Sequence, residues 1–259
     1  MHWNIDPILL QIGPLKLHWY GLLFALGLLG GYYLTEWMFK RENKDTKLIE
    51  PLFLYIVVGM IIGSRLAHVL FYDFSYYLKH PLEVFAIWKG GLASHGGFLG
   101  VIIALYLFSK RYNFSFMWLL SRGGIVAMFV ATFIRIGNFF NSEIVGAKTL
   151  APWGVVFDRV DNIPRHPVVL YESFSYLLIF LILIYLYKKL PPQKFTNIGF
   201  SLTLILGFGA RVFLEQFKTT QSEFAANLPL SMGQILSIPF IIIGFILLLK
   251  GLKDAKLSN

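Results

Sequence analysis

Between Ile134 and Gly146 the chain reads Ile-Arg-Ile-Gly-Asn-Phe-Phe-Asn-Ser-Glu-Ile-Val-Gly, closing an apolar run that begins near Trp118. Arg135, Asn138, Asn141 and Glu143 therefore arrive at or near bilayer depth. In a helix, Arg135, Asn138 and Ser142 share one face at spacings of three and four, while Ile134, Phe139 and Phe140 turn toward lipid or packing. Inserting an ionisable side chain there costs on the order of 3 kcal/mol, so it marks a functional site by default. Arg211 and Glu215, one turn apart in Gly-Phe-Gly-Ala-Arg-Val-Phe-Leu-Glu, form a second such set. Guanidiniums on separate helices that fork onto phosphate oxygens suit a phospholipid head held in a dry site. His95, between Ala93-Ser94 and Gly96-Gly97, offers an imidazole able to move a proton near neutrality, and its small neighbours admit a close backbone approach.

Each set also has a plainer use. Arg135 can pair with an acid, Arg211 with Glu215, and His95 can donate to a neighbouring helix carbonyl. Glycines beside a histidine can leave N–H groups free for an anion, but in membrane helices they more often form a close-packing face. Arg65 and His68 are read mainly as interhelix hydrogen-bonding groups. Tyr20 stands apart from an interfacial belt of aromatic residues because its hydroxyl is placed to reach an outer cavity. The six histidines show no paired ligand spacing, so neither a metal nor another cofactor is expected.

The elements that position these groups are membrane helices. The chain is 56% hydrophobic and 17% aromatic, with a mean hydropathy of +0.64, values suited to an all-α polytopic membrane protein. Seven stretches approach the roughly 20 residues that cross a bilayer: Leu17 to Phe39, Leu48 to Tyr72, Leu92 to Phe108, Trp118 to Phe140, Val169 to Tyr187, Ile198 to Phe217 and Met232 to Leu249. The third, entered through Gly90-Gly91 and Gly96-Gly97, is expected to start partly unwound or re-entrant. Without cysteine, the chain has no disulfide, thiolate zinc site or cysteine nucleophile, and any thiol in its chemistry belongs to the substrate.

The net charge of +9 lies mostly in short flanks and reads as topology and headgroup contact rather than nucleic-acid binding. Lys40, Arg41, Lys44, Lys47, Lys110, Arg111, Lys188, Lys189, Lys194, Lys250, Lys253 and Lys256 fall in one set of connections. The positive-inside rule makes that set cytoplasmic, with the N-terminus outside and the C-terminus inside. Residues 141–168 are then the longest outer loop; with Pro152, Pro164, Pro167 and a strand-like Val155-Val156-Phe157, they are expected to form a small extracytoplasmic cap. Residues 1–16 lack the basic leader and apolar core of a cleavable signal and are expected to lie as an interfacial helix on the same face. Without internal repeats or linkers, 1–259 reads as a single transmembrane domain.

Distributed along the chain are His18-Trp19-Tyr20-Gly21, Gly63-Ser64-Arg65, Gly90-Gly91-Leu92-Ala93-Ser94-His95-Gly96-Gly97, Arg135 to Glu143, His166-Pro167 to Leu170-Tyr171-Glu172, Arg211 to Glu215 and Leu230-Ser231-Met232-Gly233-Gln234. In this order and over nearly the whole chain, they resemble the prolipoprotein diacylglyceryl transferase family. The resemblance implies a seven-span enzyme of the bacterial cytoplasmic (inner) membrane, N-terminus outside and active site toward the outer face. It implies transfer of the diacylglyceryl group of phosphatidylglycerol to the lipobox cysteine thiol of a preprolipoprotein, releasing glycerol phosphate. His95, Arg135 and Arg211 fall on positions that family treats as essential or nearly so; Tyr20, Asn138, Glu143, Gly146 and Glu215 fall on positions of importance there. Many relatives carry a tyrosine shortly before the arginine matching Arg211, where this chain has Gly207-Phe208-Gly209, and an arginine where Lys218 stands.

That reaction fits the residues. Thiol attack on the glyceryl carbon breaks a C–O bond, and the leaving phosphate gains negative charge. His95 is expected to take the thiol proton directly or through water, the alternative being that His95 only positions substrate while an arginine-bound group or water takes the proton. Arg135 and Arg211 are expected to hold the phosphate. Tyr20, Asn138, Gly146 and the Gly96-Gly97 backbone are expected to orient the lipid head. Glu143 and Glu215 are expected to fix the arginines, with Arg65 and Glu172 in support. The partners are phosphatidylglycerol, the lipobox segment and membrane lipid, and the chain is expected to act as a monomer. A transporter or flippase would also use buried arginines and broken helices, but the lack of repeats and the outer polar set favour an enzyme. A structural scaffold leaves the intramembrane arginines without a task.

Overall fold

The computed structural model describes residues 1–219 and 230–257 and is mostly helical. The side chain of Lys256, one of the basic residues counted above, lies outside the description. The long helices are α1 (Trp19–Arg41), α2 (Ile49–Phe71), α4 (Ser94–Arg111), α5 (Phe116–Phe140), α6 (Val168–Lys189), α7 (Pro192–Leu214) and α8 (Met232–Leu257), with a short α3 (Phe74–Lys79) after α2. Each of the seven apolar stretches falls on one of these long helices. Among the described residues, six helices are long and apolar enough to cross a membrane; α4, with Ser94, His95, Lys110 and Arg111 at its ends, is not one of them. Helix α7 starts six residues earlier than its apolar run because Pro192 in its first turn presets the helical φ and gives up no needed N–H.

Two compact units divide the chain, one of Glu36–Leu120 and one of Met1–Thr35 with Ser121–Asn259; α1 and α5 each run from one unit into the other. In the Glu36–Leu120 unit, α2 and α4 lie antiparallel with almost no side chain between them. A methyl group on Gly63 would strike the Gly96 carbonyl, one on Gly100 the Gly59 carbonyl, and one on Gly97 the Ser64 hydroxyl at 2.5 Å. The glycines thus serve backbone approach, and α4 is regular helix from Ser94 onward. The expected unwound start is corrected: a helix keeps its own N–H and C=O groups paired, which apolar surroundings require. The departure from helix lies upstream, where Gly90 and Gly91 take φ of 86° and 73°, conformations costly for any side chain.

In the other unit, α7 and α8 also run antiparallel: Gly251 meets Asn197, Gly244 meets Leu204 and Ile205, and Phe208 stacks on Phe240 at 4.4 Å between centroids. Gly27, Gly30 and Gly31 of α1 admit Phe133, Phe129 and Val126 of α5. The segment between α5 and α6 holds the forecast strand. Here β4 (Val155–Phe157), fully buried, pairs in parallel with β1 (His2–Trp3) and antiparallel with β5 (Pro164–Arg165). Its core joins Val155 and Phe157 to Phe139, Val168 and Val169 at the ends of α5 and α6.

The N-terminal residues do not form the expected helix. β2 (Ile8–Ile12) and β3 (Leu15–His18) make an antiparallel hairpin with Ile12 opposite Leu15. Gly13, at φ 58°, and Pro14 form its two-residue turn. Glycine at the first turn position and a residue confined to negative φ at the second fit the hairpin-forming type II′ turn. Five residues between Pro7 and Gly13 are too few for a stable helix, and a short apolar run bounded by turn residues suits a strand.

Candidate functional site

In the unit of Met1–Thr35 with Ser121–Asn259, Arg135 and Glu215, two of the charged residues expected at membrane depth, meet Glu172 and Lys218 in one network. Arg135, in the last turns of α5, places Nε 2.8 Å from Oε2 of Glu172 in the first turns of α6. The Glu172 side chain is completely buried, and its Oε1 lies 2.8 Å from Nζ of Lys218, which also stands 3.2 Å from Glu215 Oε2. At Glu172 the pairs are charge contacts that fall short of hydrogen-bond direction. Arg135, Glu172, Lys218 and Glu215 therefore alternate in sign along one path and sum to zero. That neutrality makes so much burial tolerable, because an uncompensated charge here would cost several kcal/mol.

The other face of Arg135 carries amides. Its Nη1 donates to Asn138 Oδ1 at 3.1 Å, one turn on. Asn138 Nδ2 donates to Glu143 Oε2 at 2.7 Å, and Asn141 Nδ2 donates to Glu143 Oε1 at 3.1 Å. The expectation that Glu143 and Glu215 fix the two arginines is corrected. Glu172 holds Arg135, amides hold Glu143, and Glu215 pairs with Lys218. Arg211, half-buried in the last turn of α7, has no carboxylate partner among the described residues.

Tyr20 opens α1 with its ring against the bare Cα of Gly137, where any side chain on α5 would collide. Its phenol is near enough to feel the charges of both Glu143 and Arg135. Ser142 leaves the polar face predicted for it: α5 ends at Phe140, and Ser142 turns away at φ 56°. Gly146 lies in a narrow place. Its N–H donates to His166 O at 3.1 Å, its neighbour Ala147 donates to Phe217 O at 2.7 Å, and a side chain at 146 would strike both strands of backbone. Gly146 also bridges to Lys218, so the 141–168 segment is fastened directly beside a member of the charge network.

In the Glu36–Leu120 unit, His95 is exposed in the first turn of α4 and makes no hydrogen bond to a described residue. The plainer use, donation to a neighbouring helix carbonyl, is not made to any described residue. The Cα faces of Gly96 and Gly97 are occupied by α2, and the Gly97 N–H is already donated to Ala93 O at 3.1 Å. Arg65, 4% exposed, lies over the Tyr77 ring of α3, but its hydrogen bonds go to backbone rather than to a side chain of another helix. It donates to four loop carbonyls: Glu83 at 2.6 Å, Val84 at 2.8 Å, Gly90 at 2.6 Å and Gly91 at 3.2 Å. A guanidinium with five donors in a fixed fork can gather that many carbonyls, and here it folds the loop that leads into α4. His68 pairs with Asp73 at 3.1 Å.

Two further cations carry weaker signals in the sequence. Lys218, a departure from the pattern of relatives, stands three residues after Glu215, the spacing of a helical-turn pair. Arg122, 2% exposed, donates to Thr196 Oγ1 at 2.5 Å and Pro192 O at 3.0 Å and lies over the rings of Tyr187 and Phe195. A second arginine in the apolar run of α5 was its signal, and its partners tie the start of α7 to the end of α6.

Comparison with known proteins bears on what this network does. A sequence model described as prolipoprotein diacylglyceryl transferase matches residues 7–250. Similar proteins include the phosphatidylglycerol–prolipoprotein diacylglyceryl transferases of Tolumonas auensis, 46% identical over 98% of this chain and 98% of the relative. That of Chloroherpeton thalassium is 46% identical over 99% and 96%, and that of Bacteroides fragilis 40% identical over 94% and 92%. Because the match runs through both units and takes in Arg135, Glu172, Arg211 and His95 alike, this chain belongs to the prolipoprotein diacylglyceryl transferase family.

Proposed function

We infer that this protein transfers the diacylglyceryl group of phosphatidylglycerol to the cysteine thiol of a prolipoprotein, forming a thioether and releasing glycerol phosphate. The observation that carries the reading is the difference between the two arginines. Arg135 is oriented by Glu172 and Asn138, whereas Arg211 has no carboxylate among the described residues. A half-buried guanidinium with no carboxylate partner among the described residues suits an anionic ligand, and a prealigned one suits charge that develops during reaction.

In this reading the thiol sulfur attacks the glyceryl carbon bearing the phosphate, the C–S bond forms and the C–O bond breaks. The electron pair leaves on the phosphate oxygen. Arg135 and Arg211 stabilise that oxygen, and His95 takes the thiol proton. Tyr20, Asn138 and Gly146 shape the place of the lipid head, with Glu143 and Glu215 as supports. Helix α4 completes seven spans, with the N-terminus outside, the C-terminus in the cytoplasm, and residues 141–168 as a cap on the outer face of the bacterial inner membrane. The β2–β3 hairpin lies in the outer headgroup layer. The protein works as a monomer and one domain, with surrounding lipid as solvent and substrate source.

The test is product analysis with purified protein, phosphatidylglycerol and a lipobox peptide, beside His95→Ala and Arg135→Ala. A diacylglyceryl thioether and glycerol phosphate, both lost in the variants, are the expected result. Turnover retained in both variants moves the site; movement of lipid without a thioether product replaces transfer with transport.

A further inference from the structure

Helix α5 ends in an unusual turn. Ser142 and Ile144 both take left-handed backbone, with φ of 56° and 53°. Neither is glycine, and β-branched isoleucine is among the residues least suited to that region. Such a conformation is strained and persists only where the surroundings enforce it. Between them sits Glu143, whose N–H donates to Asn138 O at 3.0 Å and whose carboxylate accepts from the Asn138 amide at 2.7 Å. Asn138 in turn accepts from Arg135. The strained turn therefore sets where Glu143 points, and Glu143 sets the amide that steers Arg135.

One side chain from the 141–168 segment closes over this turn. Arg159, exposed just after β4, donates from Nη2 to Phe140 O at 2.8 Å and to Ser142 Oγ at 3.1 Å. Phe140 is the last residue of α5, so its carbonyl is one of those a helix leaves unpaired, at the end where a cation is favoured. Arg159 makes no part of the apolar cluster around Phe139, Val155 and Phe157, so its loss leaves that core in place.

We propose that Arg159 is a positioning residue for the transfer reaction. By capping α5 and gripping the Ser142 hydroxyl, it holds the left-handed turn that aims Glu143 at Asn138, and through Asn138 fixes Arg135. The proposal rests on the function inferred above. The path runs through five residues, Arg159, Ser142, Glu143, Asn138 and Arg135, with three hydrogen-bonded links.

The experiment uses the full-length protein in bilayers containing phosphatidylglycerol, with a lipobox peptide, in wild type, R159A, R159K, S142G and S142G/R159A. R159A is expected to lower kcat roughly tenfold, the scale of a small misplacement of a reacting group, with KM for the lipid and the thermal midpoint little changed. R159K is expected to restore part of the rate, since an ammonium still places a cation and donors at the helix end. Glycine takes positive φ freely, so in the S142G background R159A is expected to cost much less. That non-additivity is the mark of a shared turn. Hydrogen exchange at the Glu143 amide is expected to speed up in R159A whether or not the protein turns over. Failure of wild type to form thioether overturns the inferred reaction alone. Unchanged Glu143 exchange, unchanged kcat, or equal losses in both backgrounds overturns the role of Arg159.

Discussion

Arg135 and Glu172 lie 37 positions apart in sequence and 2.8 Å apart in space, on the ends of α5 and α6 that face the 141–168 segment. Glu172 also serves Lys218, so its removal strands a buried and a partly buried cation at once. Glu172→Gln is expected to destabilise the protein by about 3–5 kcal/mol, the cost of breaking a buried pair from one side. It is also expected to lower transfer, because Arg135 loses its direction. Thermal or denaturant unfolding in detergent, read beside thioether formation, checks both.

Arg211 should behave in the opposite way. Because no described carboxylate depends on it, Arg211→Ala is expected to leave the unfolding midpoint unchanged. Loss of a donor to developing charge is expected to lower kcat about 10²- to 10³-fold. A variant that unfolds early instead would make Arg211 a structural residue.

The 141–168 segment carries its own pH dependence. Hydrogen bonds from Arg165 hold the Asp161 carboxyl below its ordinary value, aided by the Ile163 N–H. A lowered folded value stabilises fully above the unfolded carboxylate pKa of about 3.9, and that contribution is lost as pH falls through the folded value. Exchange of the Ile163 amide is therefore expected to show no titration of this pair between about pH 5 and 8 and to lose protection only below about pH 4. Asp161→Asn should show the weaker protection at every pH.

The hairpin offers a fourth test. Leu10 pairs with Leu17 and Ile12 with Leu15, and all four are exposed, while Gln11 and Lys16 take the alternate positions. A two-stranded hairpin is marginal in water alone, so this apolar face calls for cover. Nitroxide-lipid quenching of a tryptophan at Leu15 should be strong and at Lys16 weak. Ile12→Asp should weaken that quenching, since an apolar side chain of this size is worth about 1.5–3 kcal/mol when buried. Equal quenching at both positions would place the hairpin in water.

Much of this architecture was legible without coordinates. Runs of about 20 apolar residues leave a chain little choice but helix in lipid, and each of the seven runs lies on one. Val155-Val156-Phe157 announced its strand by residue type, and Arg135, Arg211 and His95 stood out because charge or polarity there demands a reason, whereas Glu172 entered only through the family resemblance. What the linear pattern could not decide was pairing. Arg211 and Glu215 are spaced for each other, yet Lys218 takes the glutamate and Arg135 takes Glu172. Gly96 and Gly97 could have unwound a helix or packed one, and the matching glycines of α2 decided for packing. Periodicity reports one segment's preference for a buried face, so it locates helices and candidate charges. Which charge meets which depends on the register between segments far apart in sequence, and only the packed tertiary structure sets that register.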